Sequence, residues 1–352
     1  MRIALIYNLK ANVECPVDAP ADALAEYDTE ETAHGLEQAL RAGGHTVIPL
    51  EADCTLLDTI RQVSPDLCFN IAEGLRGESR ESHVPALLEM LGIPYTASGV
   101  LANALSLDKA MCKIVWRAHG LPTAPFQVFR TGEEPLDEGM TFPLFVKPAR
   151  EGTGMGITQE SVVQDERELR ERANWIVCTY RQPALAETFL PGREFTVGLI
   201  GNERTVCTVP HSPIYDERGF HVFPVMEIDV SPVEEARGIY SGYVKSERPL
   251  DPAYLCPAPI DEELTARLQD LAVRAFTAIG AVDVGRVDIR LGADCRPYLL
   301  EINTLPGLNP KYSDIVMQAR GEGMAYEVLV NEIVHLAMAR YGLPEGGIRS
   351  IR

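Results

Sequence analysis

The sequence predicts an α/β protein built from more than one unit, and three observations carry that reading. Short β-rich runs alternate with amphipathic helical stretches through the first hundred residues, the pattern of a parallel sheet with crossover helices. A glycine-rich segment, EGTGMGI, follows a β-rich run that ends in Lys-Pro. Near the C-terminus, GRVDIRL and YLLEIN form a strand–turn–strand pair with charged and amide side chains two residues apart. The 352 residues, 46% of them hydrophobic, are enough for two or three domains with cores of their own.

Residues 2–7 (RIALIY) read as the first strand. Residues 29–43 (TEETAHGLEQALRAG) read as an amphipathic helix with Leu36 and Leu40 on one face and Gly43-Gly44 as its stop. HTVIPL, CTLLDTIRQV and DLCFNI then complete a βαβαβ alternation. VPALLEMLG reads as a helix and IPYTAS as a short strand. After SLDKAMCKIVWRAHG the pattern changes. FPLFVKP (142–148) is a strand, and EGTGMGIT reads as a tight hairpin with free backbone N–H groups. A helix follows around 165–174, and then PALAETFL. Residues 194–209 read as a hairpin turning at Gly201-Asn202. From 210 to 260 the chain is rich in Pro, Gly and Tyr, which reads as long active-site loops. A helix over 262–279, a hairpin turning at Gly292-Ala293-Asp294 and a helix over 323–341 close the fold.

The net charge of −19 argues against a nucleic-acid partner, because phosphate backbones need a basic surface. It disfavours an anionic membrane for the same reason. The six-residue apolar run at the N-terminus is too short for a signal-peptide core, and no later run approaches a membrane span. The eight cysteines include no C-x-x-C pair and read as reduced, buried thiols of a cytoplasmic protein.

Side chains two apart on a strand face the same way. Glu301 and Asn303 therefore share a face just where their strand ends. A strand leaving the core and turning polar would look the same. Across the turn, however, Asp288 falls opposite Glu301, and Arg286 joins the same face. Two carboxylates that close repel unless a cation lies between them. Asp, Glu and Asn oxygens suit Mg²⁺, which keeps phosphate oxygens among its ligands. Arg286 could neutralise a reacting oxyanion. The three glycines at 152, 154 and 156 can lie over phosphates, with Lys147 at the end of the preceding strand and Lys109 at a helix start.

These stretches together resemble the ATP-grasp superfamily, in particular the D-alanine–D-alanine ligase family. The matching segments are LLEMLGIPYTASGVLANALSLDK, GLPTAPF, FVKPAREGTGMGI, GREFTVGLIG, YLCPAPI, GRVDIRL and YLLEINTLPGL, in the family's order over most of 85–310. The resemblance implies an ATP-grasp fold behind an N-terminal Rossmann-like, pre-ATP-grasp domain. Its units would be 1–105, a central 106–190 with the glycine-rich loop, and 191–345 with the metal and substrate residues. It implies ATP and Mg²⁺ (or Mn²⁺) as cofactors. Lys109, Lys147, Gly152 and Gly154 would meet the phosphates, and Glu187, Thr188 and Leu190 the adenine. Glu194 would meet the ribose, and Lys245 would bind phosphate from a mobile loop. Asp288, Glu301 and Asn303 would hold the metal. Arg286 would stabilise the tetrahedral intermediate, and Thr153 stands where the family carries a serine.

The sequence departs from the family at the substrate ends. The first strand, YNLKANVE, lacks the usual glycine pair, and Asp28, Glu30 and Glu31 compete for the role of the first-substrate acid. Ser246 replaces the loop tyrosine. FNIAEGLRGESRESHVP replaces the family's usual stretch, with Arg76, Arg80, Glu81 and His83 as candidate pocket residues. After Gly307, LNPKYSDI puts Lys311, Tyr312 and Ser313 around the expected serine. The expectation is an ADP-forming carboxylate–amine ligase working through an acylphosphate on small amino acids or related carboxylates, in the cytoplasm, with a homodimer as the family's common assembly. The rivals are a genuine D-alanine–D-alanine ligase of cell-wall synthesis and a non-catalytic nucleotide-binding regulator.

Overall fold

The computed structural model describes residues 1–15, 18–233, 239 and 252–344. The first unit contains β1 (Arg2–Tyr7), α1 (Glu30–Ala42), β2 (Thr46–Glu51), α2 (Leu56–Val63) and β3 (Leu67–Asn70). β1 lies in the middle of a three-stranded sheet and pairs in parallel with both neighbours. It is apolar without alternation because both faces are covered. Ile3 and Leu5 meet Leu36 and Leu40 of α1, while Ala4 and Ile6 meet Leu56 and Ile60 of α2. The helix α3 (His83–Leu91) follows. The IPYTAS stretch is not a strand but a single parallel bridge, Cys68 to Tyr95. Ala97 ends it by adopting a φ of 66°, and its N–H goes to Asp283 at 3.0 Å instead of to a sheet.

The helices α4 (Val100–Leu107) and α5 (Lys109–Ala118) lead into the second unit. There β4 (Phe126–Phe129), β5 (Leu144–Pro148), β6 (Val162–Val163), α6 (Glu166–Tyr180) and β7 (Ala184–Thr188) build an antiparallel sheet of order β4-β7-β5-β6. α6 covers one face, with Leu169, Ala173 and Ile176 against Val146 and Ala186. The expected tight hairpin at EGTGMGIT is instead a wide loop between β5 and β6. Thr153, Gly154 and Gly156 have φ of 50°, 71° and 69°. This coils the loop into successive turns, closed by Met155 N–H to Gly152 O (2.9 Å) and Ile157 N–H to Gly154 O (3.0 Å).

The third unit is a six-stranded sheet of β8 (Glu194–Gly201), β9 (Phe220–Val222), β10 (Met226–Asp229), β11 (Ala253–Leu255), β12 (Asp283–Leu291) and β13 (Pro297–Asn303). Its order is β11-β10-β8-β12-β13, and β9 also pairs with β8. The helix α7 (Glu262–Ala278) packs Leu268, Ala272 and Phe276 against Phe195, Val197 and Val287. The hairpin expected at Gly201-Asn202 does not form, and Gly201 pairs with Phe220 of the distant β9. Asn202 is buried, and its side chain donates to Asp283 at 3.0 Å and accepts from the Asp283 N–H at 2.9 Å. It cannot also stand at an exposed turn. The region expected to be loops carries β9, β10 and β11. The chain closes with α8 (Asp314–Gly321) and α9 (Tyr326–Arg340), and α9 returns to the first unit, packing Leu329 and Ile333 with Leu36 and Leu40. The cysteines are free thiols, but the expectation that they are buried holds only for Cys68 and Cys112, since Cys15, Cys54, Cys178 and Cys295 are exposed. Among the described residues no helix is long and apolar enough to cross a membrane.

Candidate functional site

The β12–β13 hairpin sets Arg286 opposite Asn303 and Asp288 opposite Glu301, with a register shift just beyond Asp288. Its polar groups are held tightly. Arg286 donates from Nε and Nη2 to the two Asp288 oxygens at 3.0 and 2.8 Å, and its Nη1 lies 3.2 Å from Asp314. Burial works against the guanidinium charge, but Asp288 and Asp314 override it and raise its pKa. The Thr196 hydroxyl donates to Asp288 at 2.6 Å. Lys109, the first residue of α5, reaches Glu301 at 3.4 Å and donates to the Glu151 carbonyl. Each carboxylate is thus already compensated by a cation. Among the described residues no three His, Cys, Asp or Glu side chains converge as a metal cage. Two carboxylates and an amide on one face nevertheless fit a hard cation that keeps water and phosphate oxygens as its other ligands.

A second cluster lies on the neighbouring sheet. Lys147, near the end of β5, is 2.7 Å from one oxygen of Glu187 on β7, and Lys113 of α5 is 2.8 Å from the other. Lys113 also donates to Thr123 Oγ1 at 2.8 Å and to Leu299 O at 3.2 Å. Burial pushes the Glu187 carboxyl up, but Lys113 and Lys147 outweigh it and hold it down at about 2. Burial wins at Lys113, whose pKa is lowered, while the pairing with Glu187 raises that of Lys147. The sequence expected Glu187 beside an adenine; here its carboxylate is committed to two lysines. Lys113 was missed, although it stands four residues after Lys109 and so on the same helix face. A cleft of about 70 Å³ opens between the two sheets, with Lys147, Gly154, Glu187, Glu194, Asp288 and Glu301 in its wall. Thr188 and Leu190 border it too, and Glu194 pairs with Arg290 at 3.0 Å.

A larger cavity of about 210 Å³ lies beside the cleft. One wall brings Lys109, Gly152, Thr153, Arg286, Glu301 and Asn303 together. Another comes from the N-terminal unit and presents Glu26, Asp28, Glu73 and Glu81. Gly307, Tyr312 and Ser313 also border it, and Ser313 Oγ accepts from the Asn309 N–H at 2.8 Å. Of the three acids that competed for the first-substrate role, Asp28 lines the cavity, while Glu30 is exposed and outside the lining. Lys311 is likewise outside it and pairs with Glu31. Arg76 and His83 are exposed and do not line it. Lys245 and Ser246 lie outside the described residues.

Arg80 stands behind the N-terminal wall, 2.5 Å from Glu26 and 3.0 Å from Glu151. The glycine-loop N–H groups are not all free, as the sequence reading had it. Gly152 N–H donates to Glu26, and Gly156 N–H donates to Asp22 at 2.8 Å. Burial pushes the Asp28 carboxyl up to about 7. Burial and then the nearby Glu26 charge push Glu81 up to about 8. Burial and the Glu81 charge raise Glu73 well above the usual carboxylate range. Sequence reading passed over Glu26 and Glu73. A signal for Glu73 exists, since it stands just past the C-terminal end of β3, where open parallel sheets bind their ligands.

The family model described as D-ala D-ala ligase C-terminus matches residues 115–335. An uncharacterised protein, y4sG, of Sinorhizobium fredii is 34% identical over 317 residues, 88% of each chain. The D-alanine–D-alanine ligase of Bordetella petrii is 34% identical over 312 residues, 88% of this chain and 87% of its own. Among solved structures, the D-alanine–D-alanine ligase of Bacillus anthracis complexed with ATP superposes with a TM-score of 0.72 at 21% identity, covering 96% of this chain and 97% of its own.

Proposed function

The chain belongs to the D-alanine–D-alanine ligase family, ATP-dependent ligases of the ATP-grasp fold that form a carbon–nitrogen bond, and we propose that it joins two small amino acids or related carboxylates through an acylphosphate, releasing ADP. The observation that carries this reading is the shared face of Arg286, Asp288, Glu301 and Asn303, set between the cleft of the two sheets and a separate cavity. That is where a phosphoryl group would pass from one to the other.

Thr188, Leu190 and Glu194 seat the nucleoside, and Glu187, its carboxylate held by Lys113 and Lys147, borders them in the cleft wall. Lys109 and Lys147, with the Gly152 and Gly154 backbone, face the phosphates. Positioned positive charge is most of what phosphoryl transfer asks of a protein. Asp288, Glu301 and Asn303 would hold Mg²⁺ or Mn²⁺, which supplies neutralisation for the transferred group. Arg286, fixed between Asp288 and Asp314, steadies the oxyanion formed when the amine attacks the activated carbonyl. Thr153, held at the head of the glycine loop, orients the first substrate. Lys245 is a further phosphate contact that the family resemblance implies. Gly307, Tyr312 and Ser313 border the second substrate, and Arg80 and Glu81 the first. The partners are small molecules, in the cytoplasm, with a homodimer as the assembly and neither nucleic acid nor membrane as a partner. The presence of all four hairpin groups disfavours a non-catalytic regulator.

The test is an ADP-release screen over pairs of D- and L-amino acids and hydroxy acids, with products identified by mass. A coupled product with stoichiometric ADP supports the reading. ATP binding without ADP release from any pair counts for the regulator.

A further inference from the structure

The N-terminal wall of the large cavity holds more negative charge than its surroundings balance. Among the described residues, acidic side chains outnumber basic ones in the lining by seven to two. Among the described residues, the cations within reach are already committed. Lys109 pairs with Glu301, Arg286 with Asp288 and Asp314, and Arg80 with Glu26 and Glu151. Asp28, which keeps a hydrogen bond to the Thr32 side chain, and Glu73 and Glu81 are left without an ion pair among the described residues. They arrive on three separate segments: the approach to α1, the loop after β3, and the turn before α3. The Glu73 and Glu81 carboxylates have neither a hydrogen bond nor an ion pair among the described residues.

A fold does not usually gather unpaired carboxylates in a recess, because desolvation and like-charge repulsion both oppose it. A ligand that brings positive charge resolves the conflict. A neutral amino acid brings one ammonium, which matches one carboxylate and leaves another unpaired. Ile71 and Leu107 border the same cavity and offer an apolar track for a methylene stem whose end is charged. We propose that the first substrate, the one whose carboxylate is activated, is a basic amino acid carrying a second cation, an ammonium or guanidinium, on its side chain. Its carboxylate points to Arg286 and Lys109, and its two cations meet Glu73, Glu81 and Asp28. This inference rests on the ligase reading of the cavity. The raised proton affinity of Glu73 and Glu81 in the absence of a ligand agrees with it, since a cation would draw both back to the ionised form.

The experiment uses the full chain with ATP and Mg²⁺. ADP release is measured with ornithine, lysine and arginine of both hands against norvaline, norleucine, citrulline and glutamate, each offered with a panel of second amino acids. Calorimetry measures binding of the same compounds without turnover. Basic amino acids should exceed their neutral isosteres by roughly 30-fold or more in kcat/KM, the scale of a satisfied against an unpaired buried charge. Glu73→Gln and Glu81→Gln should each narrow that preference by about 10-fold, through a larger loss on the basic substrate than on the neutral one. Both variants remove a crowded charge and should keep or raise the melting temperature. Neutral isosteres performing as well as basic ones in the wild type would overturn the proposal, as would Gln variants that lower both classes equally. ADP release from neutral pairs without basic preference leaves the ligase reading standing and sinks this one. Basic-amino-acid binding that Glu73→Gln weakens, with no ADP release from any pair, upholds this recognition and sinks the ligase reading.

Discussion

Lys147 and Glu187 stand 2.7 Å apart on neighbouring antiparallel strands of the central sheet. Lys147 pairs in register with Leu185, so Glu187 is its diagonal neighbour on the same face, within reach of a long side chain. The pair is buried, and Lys113 takes the other carboxylate oxygen at 2.8 Å. One carboxylate thus fixes the Lys147 ammonium in the wall of the cleft and the fully buried Lys113 ammonium behind it, so an anionic ligand would meet Lys147 already oriented.

The first prediction tests that orientation. Lys147→Ala should weaken binding of a non-hydrolysable ATP analogue by roughly 1.5–3 kcal/mol, the scale of a hydrogen bond to a charged group. Calorimetry reads it directly. An affinity equal to that of the wild type would remove Lys147 from the phosphate site.

Asp288→Asn and Glu301→Gln should each abolish turnover while the protein stays folded. Both side chains point from one hairpin face, and both changes keep shape and lose charge, which a hard cation requires. Asp288→Asn also loosens Arg286, which donates to both Asp288 oxygens. ADP release, with circular dichroism as the control for folding, decides it. Wild-type rates at ordinary Mg²⁺ in both variants would end the assignment.

Much of this site was legible because it is local. The two-residue alternation of a strand placed Arg286 with Asp288 and Glu301 with Asn303, and the hairpin placed the pairs opposite each other. What failed was long-range. Gly201-Asn202 carries a local turn signal, but Asn202 is taken by Asp283, 81 positions on. Lys113 was passed over because a lysine is ordinarily a solvated charge, and only the β7 carboxylate beneath it makes burial tolerable. Glu73 and Glu81 are acids of unremarkable local sequence. Their meaning appears only when three loops of the first unit converge on one recess. The glycine loop was recognised by composition, but its capping by Asp22 and Glu26 joins residues more than a hundred positions apart.

The acidic recess makes stability depend on pH in a particular direction. Asp28 and Glu81 titrate at about 7 and about 8 in the folded chain, against roughly 4 when unfolded. Between those values the folded chain holds protons that the unfolded chain has released. Stability should therefore fall as pH rises from about 4.5 to about 8. Glu187 acts oppositely. Held at about 2, it contributes stability that is present above roughly 4.5 and lost as pH falls toward its folded value. Urea denaturation across this range should show a maximum in the mildly acid region, and Glu81→Gln should flatten the decline above it. A profile that rises steadily to pH 8 would contradict the burial of these acids.

D-alanine with D-alanine should not be the best substrate pair. The groups proposed to handle phosphate and the oxyanion resemble those of the family, so ligation itself is expected to survive, whereas selectivity is a difference between wall contacts. At the second-substrate end, Tyr312 and Ser313 both border the cavity. The Ser313 hydroxyl is already engaged by the Asn309 N–H at 2.8 Å. Its O–H can still donate to a substrate carboxylate, but the Tyr312 phenol takes up room that a smaller side chain would leave. Lys311 does not compensate, because it lies outside the lining and pairs with Glu31. At the first-substrate end, the crowded carboxylates meet a methyl side chain with nothing to neutralise them. Bulk at one end and uncompensated charge at the other both penalise a small neutral pair, and its kcat/KM should fall below that of the best pair by about 10-fold or more, the cost of one unmet polar contact. Steady-state kinetics across amino acid pairs at physiological concentrations measures this. If D-alanine with D-alanine gives the highest kcat/KM, the acids are carried as neutral, protonated wall groups, and the chain is an ordinary member of its family with an unusual pocket edge.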